Sequence, residues 1–94
     1  MRQVLVENEN FRISVEFCRG MPLLHLGIFH FSKSIYKQGR ALWPGLIERL
    51  REAGHRYVYA TPFEADIRAK RLISHFGFEL RQTKHGVHLM RRAI

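Results

Sequence analysis

The chain has 94 residues, 46% of them hydrophobic and 26% charged, with one cysteine, Cys18. That length and balance predict a single folded domain, not a disordered chain, and exclude an internal disulfide and a bilayer-crossing run of ~20 apolar residues. Lys and Arg number 16 against 8 Asp and Glu, a formal net charge of +8, so the expected partners are anionic: nucleic acid, an acidic protein surface or a phosphorylated ligand.

In chain order, residues 3–7 read as a short strand and Glu7 to Asn10 as a polar turn. From Phe11 to Phe17, apolar Phe11, Ile13, Val15 and Phe17 alternate with Arg12, Ser14 and Glu16, which predicts a strand with one buried face. Cys18 to Pro22 supplies a turn. Leu23 to Phe31 is apolar apart from His25 and His30, as expected of a central strand covered on both faces. These three strands are expected to form an antiparallel meander.

Ser32 to Gly39 is expected to be a loop. Pro44, which has no N–H to donate, is expected in the first turn of the following helix. The helix would then start near Ala41 or Leu42 and run to Ala53, with Leu42, Leu46, Ile47 and Leu50 buried and Gly54 ending it. Arg56 to Thr61 is β-branched and aromatic, hence a strand stopped by Pro62. Glu64 to Phe76 reads as a second helix, with Ile67, Ala69, Leu72, Ile73 and Phe76 on its apolar side and Gly77 closing it. Phe78 to Gln82 and Val87 to Met90 form a closing hairpin. The order β-β-β-α-β-α-β-β predicts a mixed α/β domain over residues 1–94.

The segment Tyr36-Lys37-Gln38-Gly39-Arg40-Ala41 carries the most chemistry. A glycine and two basic residues between a strand and a helix can hold phosphate oxygens, because amides at a helix start have no internal partner and the helix dipole is positive there. Among single residues, His25 is of the side-chain type that can exchange a proton near neutral pH and could act as a base, or could be an ordinary strand histidine with a local partner. Cys18 has no histidine or helix start beside it to activate it. No Cys/His set has metal spacing, so no metal is expected.

The pattern resembles the GNAT superfamily of acyl-CoA N-acyltransferases over about residues 23–91. The segment 36–41 is similar to that family's R/Q-x-x-G-x-G/A loop: Gly39 and Ala41 fit, and Tyr36 stands where Arg or Gln is usual. Asp66, Ala69, Leu72, Gly77 and Phe78 occupy the spaced positions of N-x-x-A-x-x-L-Y-x-x-x-G-F, with Asp66 for Asn and Ile73 for Tyr. The resemblance implies a domain lacking the usual N-terminal helices, with parallel strands parting at Phe29–Phe31. It implies acetyl-CoA as cofactor: Phe29 and Phe31 beside pantetheine, Lys37, Gln38, Gly39, Arg40 and Ala41 around the diphosphate, and Asp66 on the arm. Asp66 has a second reading, as a carboxylate stabilising a helix start.

The implied activity is acetyl transfer to an amine of a protein or small molecule, with His25 as base and Ile73 unable to serve as acid. The chain would act in the cytoplasm, with the substrate-side wall of the site either thin or supplied by a second subunit of a homodimer. Alternatives are a GNAT-shaped binding protein without catalysis, or a nucleic-acid binder drawn by charge. Short chains of the inactive kind are similar to some of tailed bacteriophages, including virion proteins. No membrane association is expected.

Overall fold

The computed structural model describes residues 2–30 and 32–94. Among these described residues six strands and two helices follow in the expected order: β1 Arg2–Glu7, β2 Phe11–Cys18, β3 Met21–Ile28, α1 Lys33–Glu52, β4 Tyr57–Ala60, α2 Ile67–His75, β5 Glu79–Lys84 and β6 Val87–Ala93. They form one sheet in the order β1-β2-β3-β4-β6-β5. β3 and β4 pair in parallel and every other neighbouring pair is antiparallel. The fold is therefore mixed α/β, with the meander at one edge of the sheet and the closing hairpin at the other.

Two tight hairpins set the register. Arg19 (φ 53°) and Gly20 (φ 80°) join β2 to β3, and His85 (φ 53°) and Gly86 (φ 74°) join β5 to β6. Positive φ at both central residues matches the right-handed twist of the flanking strands. The first turn is thus Arg19-Gly20, shorter than the expected Cys18 to Pro22. Pro22 lies inside β3, opposite Phe17.

The core forms where α1 covers the middle of the sheet. Ile47 and Leu50 pack with Val58, Ala60, Phe78 and Met90, and Leu24, Trp43, Ile73 and Phe76 close around them. Val58 is completely buried. Residues Val58 and Ala60 of β4, Leu24 of β3 and Met90 of β6 therefore share the helix-covered face, since side chains alternate along a strand.

The largest correction concerns α1. It starts at Lys33, not near Leu42, so Ser32 to Gly39 is not a loop apart from its first residue. Ser32 is the extended N-cap residue, and Ile35 is buried on the same face as Gly39, Leu42 and Leu46, continuing the apolar stripe backward. Gly39 and Pro44 invite a later start, yet packing of that stripe outweighs both local preferences. Pro44 consequently lies inside the helix and not in its first turn. It is exposed, so the Arg40 carbonyl that loses its donor lies on the solvent side.

Other boundaries shift less. β3 ends at Ile28, short of Phe31, and α2 starts at Ile67 after Asp66. Ile67 is 59% exposed and does not belong to the buried side of α2. No helix among the described residues is long and apolar enough to cross a membrane.

Candidate functional site

β3 and β4 pair only at Leu23↔Tyr59 and Leu24↔Ala60. Beyond Ala60 the chain stays along β6, the His88 N–H donating to the Pro62 carbonyl at 3.0 Å and Phe63 bridging Val87, while β3 continues to Ile28. The strands therefore part after Leu24 and Ala60, not at Phe29–Phe31. A cavity of ≈ 400 Å³ occupies the opening.

Alternation along β3 places Leu24 and Leu26 on the helix-covered face and His25 and Gly27 on the other, and all four line the cavity. The opening thus reaches both faces of the sheet. Beneath the helices its wall is apolar, built from Ile35, Gly39, Trp43 and Leu46 of α1 and Leu72, Ile73 and Phe76 of the α2 region. On the open face the wall is polar, with Arg2, Arg12, Ser14 and His25.

Of the expected site residues Gly39 and Asp66 line the cavity, and so does His25. Its Nε2 lies 3.0 Å from Oε1 of Glu16, with side chains 22% and 37% exposed respectively. The hydrogen bond to His25 holds the Glu16 carboxyl below its ordinary value, with Arg2 adding to the effect. An ionised carboxylate only accepts, so Nε2 carries the proton and Nδ1 of a neutral ring keeps its lone pair. Ser14, directly opposite His25 in the register, is buried at 5%.

Glu16 and Ser14 went unassigned in the sequence, although a signal for them exists. An Arg-Gly turn at 19–20 sets Cys18 opposite Met21, hence Ser14 opposite His25 and Glu16 one step diagonal.

The residues expected around a diphosphate are not arranged as a loop. Lys37, Gln38, Gly39, Arg40 and Ala41 lie within α1, where their amides belong to the helical ladder. Lys37, Arg40 and Ala41 are exposed, and Gln38 accepts a bond from Asn8 Nδ2 at 3.2 Å. Gly39 lines the cavity because it presses against Phe76.

Phe29 does not line the cavity. It is 51% exposed, its N–H donates to the Asn10 carbonyl at 2.8 Å, and its ring lies 5.9 Å from the Arg12 guanidinium. Phe31 lies outside the described residues. Asp66 lines the cavity and also caps α2, its Oδ1 accepting from the Ala69 N–H at 3.1 Å. Among the described residues no group of three or more His, Cys, Asp or Glu could hold a metal ion. Cys18 is exposed.

No family model matches the chain, and no curated protein sequence matches it. Its fold is similar to that of a domain from Methanocaldococcus jannaschii DSM 2661 known from a crystal structure, with a TM-score of 0.71 and 17% sequence identity. The alignment covers 97% of this chain, which spans 63% of the length of that domain. At that identity the likeness extends to the fold alone.

Proposed function

We propose that the chain is an acyl-CoA-binding domain of the N-acetyltransferase kind, holding the acyl donor in the opening between β3 and β4. The parting of these strands after Leu24 and Ala60, into a cavity apolar on one face and polar on the other, carries this reading. The apolar half fits a pantetheine-like arm and a short acyl group. The polar half presents His25, held by Glu16, to an incoming amine.

Direct transfer needs a neutral amine nucleophile and a group to take its proton. His25 Nδ1 would accept that proton while Glu16 holds the ring and stabilises the resulting imidazolium. Ser14 would donate toward the thioester carbonyl oxygen, and departure of the thiolate would rely on solvent because Ile73 has no proton to give.

The diphosphate does not fit amides already used within α1. It would meet the first turn instead, where the N–H groups of Lys33 and Ser34 precede the helical ladder.

A carrier of the same ligand without catalysis is favoured by one observation: Ile73 packs against the core where a proton donor would be wanted. Calorimetry with acetyl-CoA separates the readings from one another and from a basic scaffold. Saturable binding is expected, and it should be lost in Gly27→Phe, which has room at the backbone for a side chain directed into the opening. Absence of binding at high micromolar cofactor overturns the proposal. Binding without acetyl transfer to any amine-bearing peptide or polyamine assigns the carrier.

A further inference from the structure

Where α1 and the end of α2 meet β6 lies a second, more open hollow, lined by Arg40, Trp43, His75, Phe76, Gly77 and Arg92. Trp43 and Phe76 line both this hollow and the strand opening, so they form the wall between them.

Two buried donors here have no hydrogen-bond partner among the described residues: Trp43 Nε1 and Arg92 Nη1. Buried donors are ordinarily paired, and an orphaned guanidinium nitrogen is among the least tolerable exceptions. The Arg92 guanidinium lies 5.3 Å from the centre of the Trp43 ring. That stacking fixes the cation without supplying a lone pair to its N–H groups.

Arg40, one turn before Trp43 on the same side of α1, adds an exposed cation at the rim, and His75 ends α2 beside it. No carboxylate among the described residues lines the hollow. An Arg fork and an indole N–H, with a second arginine at the edge and no acid, make a site short of acceptor oxygens. Such a set matches a compact oxyanion, and the number of cations favours a dianion over a carboxylate.

We propose that this hollow binds a phosphate group, held by Arg92 and the Trp43 N–H and screened at the rim by Arg40. It stands apart from the acyl-donor reading, because inorganic phosphate carries no arm to enter the strand opening.

Trp43 is the one tryptophan of the chain, so its indole N–H gives a single resolvable resonance. Inorganic phosphate, titrated into ¹⁵N-labelled protein at fixed ionic strength, is expected to shift that resonance saturably. Arg92→Gln should weaken binding about tenfold, the loss expected for one charge-assisted contact. Arg40→Gln, at an exposed position, should weaken it severalfold and keeps the test open if Arg92→Gln fails to fold.

No saturable shift in the folded protein overturns the proposal. So does an equal response to chloride, tighter binding of acetate than of phosphate, or an affinity unmoved by Arg40→Gln.

Discussion

Gly39 in α1 and Phe76 at the end of α2 touch so closely that a Cβ at residue 39 would stand 2.7 Å from the Phe76 Cζ. The glycine lets the two helices approach, and the Phe76 ring then lies 5.2 Å from that of Trp43. This contact closes the helix side of the strand opening. Gly39 therefore serves packing where its place in the sequence suggests a phosphate loop.

Gly39→Ala sets two effects against each other. Removing glycine from a helix interior gains roughly 0.5–1 kcal/mol. Forcing the Phe76 ring aside costs about 1–3 kcal/mol, as overpacking usually does. Net destabilisation is expected in urea unfolding. Phe76→Leu should remove most of the clash, so the double variant should be more stable than the two single losses added together.

Pro44→Ala tests the corrected course of α1. If residue 44 stood in a first turn, replacing proline would change little or weaken the helix start. Inside the helix, alanine restores the N–H that the Arg40 carbonyl lacks. A gain of about 1 kcal/mol is expected, below the full interior penalty of proline because proline restricts the unfolded state. An unchanged or lowered unfolding midpoint would contradict this.

Arg19 and His85 both hold positive φ just ahead of a glycine in a tight hairpin. Asparagine tolerates that conformation better than either. Arg19→Asn and His85→Asn should each stabilise by a few tenths to about 1 kcal/mol, additively because they lie in separate hairpins. Thermal melts of the two single variants and the double variant would check this.

The order of elements was legible because it rests on local signals: alternation in β2, glycines at 54 and 77, and Val58 between two tyrosines in β4. The site was less so. His25 could be singled out as a titratable group in an apolar strand, but its partner Glu16 depends on hairpin register. Gly39 misled for a physical reason, since close helix packing and phosphate contact ask the same thing of a residue, the absence of a side chain. Trp43 and Arg92 come together from α1 and β6, and nothing local to either segment signals the pairing.

Glu16 gives the site a pH signature. Its hydrogen bond to His25 lowers the folded-state value below the 4.5 of an unperturbed group, so folding favours the ionised form. The stability it contributes is fully present above that unfolded value and is lost as the pH falls through the lower folded one. Glu16→Gln removes the titration, so the wild-type advantage seen at neutral pH should shrink on acidification from about pH 5 to about pH 3. Glu7, paired with Arg12 at 2.9 Å and lowered mainly by that hydrogen bond, titrates in the same direction and is the control. Glu7→Gln should reproduce the acid effect on urea midpoints while leaving any acetyl transfer intact, whereas Glu16→Gln should also slow transfer by releasing the His25 ring. Equal activity in both variants would return the His25–Glu16 pair to a purely structural role.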